Sequence, residues 1–232
     1  MKTLAERLAE VRDRVDRAAL VAGRAPESIQ LVAVSKTMGP EAVREAYEAG
    51  QRIFGENYAQ ELAAKADALA DLPDIEWHFI GHLQSNKARV VAPRAKMVHA
   101  VDGVGLAREL ARRAEAAGRI PLDVLIEVNV GNEPQKHGIE PADLKELIAG
   151  VRAFPALRVR GLMTVPPEGD PAGARSVFET LASLRNLHGG PAELPELSMG
   201  MSSDFEAAIA AGATLVRVGT AIFGPRAART EN

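Results

Sequence analysis

Short apolar stretches rich in branched residues recur along the chain, and polar residues or glycine follow each of them. Stretches of this kind are typical of parallel β-strands that are buried on both faces. They lie at residues 29–34, 52–54, 76–80, 97–101, 122–130, 158–163, 196–199 and 215–218. The pattern therefore predicts eight strands.

Between these stretches, apolar residues recur at the spacing of amphipathic helices. The predicted helices cover residues 40–49, 59–70, 84–92, 105–117, 141–153, 173–187 and 203–211. Gly50, Gly118 and Gly212 follow three of them, where glycine accepts the left-handed conformation that often ends a helix. Repeated alternation of strand and helix predicts an α/β fold, a (β/α)8 TIM barrel. An open, doubly wound sheet is the alternative, because the pattern does not show whether the sheet closes.

The N-terminal segment carries a helical pattern of its own. Leu4, Leu8, Val11 and Val15 recur on one face, while acidic residues interrupt every apolar run. We expect residues 1–28 to form a helical segment that packs on the barrel, and not a signal peptide. No stretch reaches the ~20 apolar residues of a membrane-spanning helix. We therefore expect a cytoplasmic protein with no membrane partner.

Length and charge limit the possible partners. Barrels of this class use ~200 to 250 residues as one domain, so we expect one domain over 1–232, with a frayed polar tail at 225–232. The chain has 28 Lys and Arg residues against 31 Asp and Glu residues, a formal net charge of −3. Because it has no basic excess for binding a phosphate backbone, we expect no nucleic-acid partner. Cysteine is absent, which excludes disulfides and thiolate chemistry.

Lys36 directly follows the first predicted strand. Active sites of (β/α)8 barrels lie at the carboxyl ends of the strands, so this position would put the amine at the barrel mouth. Burial lowers the pKa of a lysine, and the neutral amine attacks aldehydes to form a Schiff base. The alternative is an ordinary lysine whose charged end extends from the strand into water.

Candidate phosphate ligands follow the seventh and eighth strands, which is a common phosphate site in this fold. After strand seven, Ser202 or Ser203 is predicted to cap the next helix, and Ser203 with Glu206 forms a capping-box pattern. After strand eight, Gly219 permits close backbone approach and Thr220 adds a hydroxyl donor. A well-capped helix without a ligand is the alternative reading of the serines.

Arg217 lies among the apolar residues of the eighth strand. Because strand eight would close against strand one, an Arg217 side chain that points into the mouth would lie next to Lys36. A lysine, a phosphate cradle and an arginine between them match the size and polarity of pyridoxal 5′-phosphate (PLP). A cofactor-free barrel that processes a phosphorylated sugar through a lysine imine is an alternative on these residues.

Longer segments surround these positions. They read LVAVSKT at 31–37, FGENY at 54–58, WHFIGHLQSNK at 77–87, SMGMS at 198–202 and VRVGTAIFG at 216–224. In these segments, which occur in order along nearly the whole chain, the sequence resembles the pyridoxal phosphate homeostasis protein family. That family is similar to the barrel domain of alanine racemases. The departures are Val218, where isoleucine is usual, and Ala213, where serine is common.

The resemblance implies a set of cofactor-binding residues and their roles. The set comprises Lys36, Asn57, Ser202, Arg217, Gly219 and Thr220. The lysine would carry PLP as a Schiff base, and the arginine would face the pyridine nitrogen. The serine, the glycine and the threonine would contact the phosphate, and the asparagine would lie close to the cofactor.

The resemblance also implies a function. A cationic partner disfavours protonation of the pyridine nitrogen and weakens PLP as an electron sink. Racemisation needs two acid–base groups on opposite faces of the substrate carbon, and we do not expect the second racemase domain here. We therefore expect a monomeric carrier or buffer in intracellular PLP homeostasis, with PLP-dependent apoenzymes as partners, and not an efficient enzyme. A low-activity amino-acid racemase is the alternative.

The histidines give no recognisable metal motif. His78 and His82 are four residues apart, but they straddle the end of a predicted strand, so helical spacing does not apply. No carboxylate or further histidine joins them at a recognisable spacing. We expect these two, with His99, His137 and His188, to be structural or rim side chains, and we predict no metal site.

Overall fold

The computed structural model describes residues 2–131, 133, 135–167 and 169–225, in which strands and helices alternate. The strands are β1 (Gln30–Val34), β2 (Ile53–Glu56), β3 (Glu76–Phe79), β4 (Met97–Val101), β5 (Leu122–Glu127), β6 (Leu157–Met163), β7 (Glu196–Ser198) and β8 (Leu215–Val218). The helices are α1 (Leu4–Val21), α2 (Pro40–Glu48), α3 (Ala59–Ala68), α4 (Ala88–Val91), α5 (Val104–Ala116), α6 (Leu144–Arg152), α7 (Pro171–Leu187), α8 (Gly190–Glu193), α9 (Phe205–Ala210) and α10 (Thr220–Phe223). The tail expected to fray lies, from residue 226 onward, outside the described residues.

The sheet is a closed barrel. Each strand pairs in parallel with the next one along the chain, and β8 pairs with β1. The predicted (β/α)8 barrel is therefore confirmed, and the open doubly wound sheet is excluded. The register aligns Val32 with Arg217 and Ala33 with Val218, so the ends of β1 and β8 lie side by side.

The barrel interior combines an apolar cluster with buried polar side chains. Its apolar members are Val32, Met97, Ala100, Leu125, Met163 and Leu215. The polar members are His78, His99, Ser198 and Arg217, all buried. A hydrogen bond joins His99 on β4 to Ser198 on β7 across the barrel, which places both side chains inside it. His78 and Arg217 bond to this pair from the neighbouring strands β3 and β8. A buried polar interior is stable only when its groups are hydrogen-bonded in this way.

Helix α1 packs against the barrel on its predicted apolar face. The buried side chains on this face are Leu4, Leu8, Val11, Val15 and Ala19. A capping box between Thr3 and Glu6 starts the helix. Arg14 pairs with Glu206 on α9 at 2.6 Å, and Arg7 donates to the carbonyl of Ile222 on α10 at 2.6 Å. Helix α1 therefore lies against the elements that flank β8.

Three glycines end helices in the way that the sequence predicted. Gly50, Gly118 and Gly212 adopt positive φ angles of 89°, 65° and 104°, as expected for residues that end helices. Among the described residues, no helix combines the length and the apolar content needed to cross a bilayer.

Candidate functional site

A cavity of about 630 Å³ opens at the carboxyl ends of the strands. All six residues that the sequence nominated line it: Lys36, Asn57, Ser202, Arg217, Gly219 and Thr220. Val34, Ile80, Val165 and Pro167 add apolar wall to the same cavity. The topology thus brings together side chains that are distant in sequence, because parallel strands of a barrel all end at the same mouth.

A buried network of hydrogen bonds holds the turn that carries Lys36. Ser35 donates its hydroxyl to Oε1 of Glu56 at 2.6 Å. Lys65 on α3 donates to the same oxygen at 2.6 Å and to the backbone carbonyl of Ser35 at 2.7 Å. Burial raises the pKa of Glu56, and the charge and hydrogen bond of Lys65 oppose that rise. Sequence reasoning did not identify Glu56 or Lys65, because a lysine on a surface helix gives no sign that it is buried.

Arg217 enters the cavity from β8 with only 5% of its surface exposed. Its guanidinium donates to the hydroxyl of Ser198 at 2.6 Å and to the backbone carbonyl of Thr164 at 2.9 Å. Burial lowers the pKa of Arg217 to about 10, while the negative charges of Glu127 and Asp204 oppose that decrease. The guanidinium is therefore a positively charged donor at neutral pH.

Two buried histidines extend the Arg217 contact through the barrel. His99 lies 2.9 Å from the Ser198 hydroxyl through Nδ1 and 3.0 Å from Nδ1 of His78 through Nε2. Burial lowers the pKa of His78 to about 4 and holds the pKa of His99 well below its usual value, so both rings are neutral at pH 7. Because a guanidinium only donates, the Ser198 hydroxyl accepts from Arg217, and it shares a second hydrogen bond with Nδ1 of His99. This network, which fixes the arginine, was not predicted from the sequence.

The loops after β7 and β8 form another part of the cavity wall, with one correction to the prediction. Helix α9 begins at Phe205, and its cap residue is Asp204 instead of a serine. The Asp204 carboxylate accepts from the backbone N–H of Met201 at 2.6 Å, which folds the loop ahead of the helix. The predicted capping box of Ser203 and Glu206 is therefore wrong, and Ser202 remains a cavity residue.

Two glycines let backbones approach each other closely at the cavity. A Cβ at Gly219 would lie 3.1 Å from the carbonyl oxygen of Val34, and one at Gly81 would lie 2.4 Å from the carbonyl oxygen of Asn57. Any side chain at position 81 would thus displace Asn57. The Asn57 Oδ1 atom is buried, and it has no hydrogen-bond partner among the described residues. An unsatisfied buried acceptor in a cavity wall is a position where a ligand would supply the missing donor.

His82 and His137 lie elsewhere on the mouth. His82 and His137 stack with ring centroids 3.7 Å apart, and Nδ1 of His82 lies 3.7 Å from a carboxylate oxygen of Asp102. Sequence spacing did not reveal this neighbourhood, because the three residues follow three different strands.

Comparison with known proteins first defines the class of barrel. The family model for the alanine racemase N-terminal domain matches residues 7–227. Proteins named pyridoxal phosphate homeostasis protein in Pseudomonas aeruginosa and Escherichia coli are 49% and 47% identical to this chain, over 97% of its length. The matches cover 97% and 98% of those proteins. The chain belongs to the pyridoxal phosphate homeostasis protein family, as its sequence motifs indicated.

Solved structures agree with this assignment. PipY of Synechococcus elongatus PCC7942 is 42% identical, with 96% of this chain and 100% of that chain covered. Its structure without PLP gives a TM-score of 0.83, and its structure with PLP bound gives 0.82. The fold of this chain is thus that of PipY over essentially its whole described length.

Proposed function

We propose that this chain binds PLP covalently through Lys36 and acts as a carrier or buffer in PLP homeostasis. The observation that carries the proposal is the convergence of all six nominated residues on one cavity of about 630 Å³. The names of the relatives and the PLP-bound structure of PipY support it.

The polar groups of the cavity fit PLP at both ends. Lys36 supplies an amine, and Asn57 has a buried acceptor without a partner among the described residues. Ser202 and Thr220 offer hydroxyl donors for a phosphate, and Gly219 keeps the backbone between them close to the cavity. When bound, PLP supplies an aldehyde that exchanges between amines and a ring that withdraws electrons. The Lys36 amine condenses with that aldehyde to form a Schiff base, and one water molecule is released.

Arg217 sets the chemistry of the pyridine end. Ser198 and Thr164 hold its guanidinium, which stays positively charged at neutral pH. A cation that donates to the pyridine nitrogen disfavours protonation of that nitrogen. The ring is then a weak electron sink, which favours holding and exchanging PLP over turnover. We also propose that the protein is a cytoplasmic monomer. In this role it exchanges PLP with PLP-dependent apoenzymes.

The covalent anchor is tested by absorption spectroscopy and mass mapping. Purified protein is incubated with PLP, reduced with borohydride, digested and searched for the modified lysine. We expect the adduct on Lys36, its loss in Lys36→Ala, and its retention in Lys145→Ala, which removes an exposed lysine on α6. A borohydride-fixed adduct in the folded Lys36→Ala variant would overturn the assignment.

The phosphate contact is tested with Thr220→Val, which keeps the side-chain shape and removes the hydroxyl. A hydrogen bond to a charged group contributes about 1.5–3 kcal/mol, so we expect PLP affinity to fall roughly tenfold to a hundredfold. Equilibrium dialysis measures the dissociation constant. An unchanged constant would count against Thr220 as a phosphate ligand.

Carrier and racemase roles are separated by two assays on the PLP-loaded protein. The first measures recovery of activity when the protein is mixed with an apoenzyme that requires PLP. The second follows inversion of L-alanine by chiral chromatography. We expect transfer without sustained inversion. Sustained inversion that depends on Lys36 would replace the carrier role with racemase activity.

A further inference from the structure

Three side chains with metal-binding chemistry meet at the mouth of the barrel. His82 follows β3, Asp102 follows β4 and His137 follows β5, and their donor atoms all lie within 4.8 Å of one another. Within the part of the chain that the structure describes, the residues that line the cavity with Lys36 do not include these three. The cluster therefore occupies a second place on the mouth, on the ends of β3 to β5, where the proposed function has no role for it.

We propose that His82, Asp102 and His137 bind one divalent transition-metal ion, with Zn²⁺ the best match. Two imidazole nitrogens and one carboxylate oxygen form a donor set that proteins use for zinc with an open fourth position. Zinc–ligand bonds of about 2.0–2.2 Å place tetrahedral donors roughly 3.4 Å apart. The 3.7 Å between His82 Nδ1 and the Asp102 carboxylate is already close to that separation.

The two rings must turn to complete the site. They stack with centroids 3.7 Å apart and planes within 10°. Parallel rings cannot both direct a nitrogen lone pair at one ion, so coordination requires rotation about a side-chain bond. Both histidines lie at the surface, where such rotation meets little packing.

A nearby buried carboxyl adds negative charge to this side of the mouth. Glu127 ends β5 with 8% of its surface exposed, and its Oε2 has no hydrogen-bond partner among the residues described. Glu127 and Asp102 interact electrostatically as like charges. The neighbouring cation Lys136 is held by Glu133 at 2.5 Å and by the carbonyl of Val165 at 3.3 Å. A divalent ion would offset the repulsion between the two carboxyl groups.

The donor set also decides which ions should bind. The site has no thiolate, because the chain has no cysteine, which disfavours Cu(I). Mg²⁺ and Ca²⁺ prefer sites made entirely of oxygen ligands, whereas imidazole suits zinc, cobalt and nickel. We expect Zn²⁺ and Co²⁺ to bind, and Mg²⁺ to bind far more weakly.

Calorimetric titration of the full chain with ZnCl₂, after removal of metal by a chelator and dialysis, tests the site. We expect one Zn²⁺ per chain, with affinity reduced at least tenfold in His137→Ala and in Asp102→Asn. The matched control is His188→Ala, which removes a histidine at the end of α7 and should bind Zn²⁺ like the unaltered chain. Mg²⁺ in place of Zn²⁺ should give no comparable binding.

A second readout keeps the test decisive if one variant folds poorly. Co²⁺ bound to imidazole in low coordination gives visible absorption bands that are stronger than those of the hydrated ion. We expect these bands in the unaltered chain and in His188→Ala, and their loss in His82→Asn. The proposal is wrong if the chain binds no Zn²⁺. It is equally wrong if folded cluster variants keep the affinity and the cobalt spectrum of the unaltered chain. Because neither readout requires PLP, failure of this site would not bear on the Lys36 assignment.

Discussion

Replacing Lys65 with methionine should destabilise the fold and loosen the turn that carries Lys36. The Lys65 side chain is only 5% exposed and the Glu56 side chain is fully buried. The Lys65 amine donates to Glu56, to Glu61 and to the backbone carbonyl of Ser35, at 2.6, 3.2 and 2.7 Å. Methionine has similar length but donates none of these bonds, so the Glu56 carboxylate would lose its buried cation.

Removing one partner of a buried ion pair costs about 3–5 kcal/mol, because the other charge stays buried without compensation. We expect Lys65→Met to lower the free energy of unfolding by that amount at pH 8. Adding Glu56→Gln removes the stranded charge and keeps an acceptor for the Ser35 hydroxyl. The double variant should therefore regain about 1–3 kcal/mol relative to Lys65→Met.

The pH dependence gives a second test of the same cause. The charge of Lys65 lowers the pKa of Glu56 against the effect of burial, so its removal raises that pKa further. A carboxyl with a raised pKa in the folded state binds more protons when folded, and the fold then gains stability relative to the unfolded chain as pH falls. The deficit of Lys65→Met should therefore be smaller at pH 5 than at pH 8.

Urea denaturation followed by far-UV circular dichroism measures these differences. Lys145→Met, at an exposed position on α6, is the matched control and should change stability little. The reasoning fails if Lys65→Met costs less than about 1 kcal/mol. It also fails if Glu56→Gln restores nothing, or if the deficit is the same at both pH values.

Two further predictions concern the network behind Arg217. Ser198→Ala leaves both the Arg217 guanidinium and His99 without the hydroxyl, so the free energy of unfolding should fall by about 1.5–3 kcal/mol in urea titrations. The control is Ser183→Ala, which removes an exposed hydroxyl on α7. If Ser198→Ala is as stable as this control, the prediction is wrong. The pKa of His78 is lowered to about 4, so its stability contribution is complete above about pH 6.5 and is lost as pH falls. Between pH 7 and pH 5, the free energy of unfolding should fall by about 2 kcal/mol more in the unaltered chain than in His78→Asn. Equal decreases in the two proteins would refute this prediction.

The strands could be predicted from the sequence because strands buried on both faces leave continuous apolar runs. The predicted bounds of β4 and β8 agree with those in the structure. The run at 122–130 extends past the end of β5 at Glu127, because Val128 and Val130 continue the apolar pattern beyond the strand. Val128 is buried and lies outside β5, where it forms an isolated bridge to Ile139. An apolar run therefore indicates that residues are buried, and it does not show that they pair with a neighbouring strand.

Most of the cavity residues could be predicted because the fold places all strand ends at one mouth, whereas Asn57 was predicted only from the family resemblance. The sequence did not predict contacts between side chains that are far apart along the chain. Ser198 on β7 meets His99 on β4 only because these two strands face each other across the barrel, and it also contacts Arg217 on the adjacent β8. His82 and His137 likewise meet across two loops. Such contacts depend on the three-dimensional register of distant segments, which no local pattern contains.

The charges of the mouth explain why one arginine stays protonated in the barrel interior. Burial lowers the pKa of Arg217, and the carboxyl groups of Glu127, at the end of β5, and Asp204, at the start of α9, oppose that decrease. The neutral His99 and His78 behind Ser198 add no permanent charge that would counteract this. The fold thus maintains a cation where the pyridine nitrogen of PLP is proposed to lie, and a cation there weakens the electron sink on which PLP catalysis depends. If PLP binds as proposed, this cation would favour retention of the cofactor over its use in turnover.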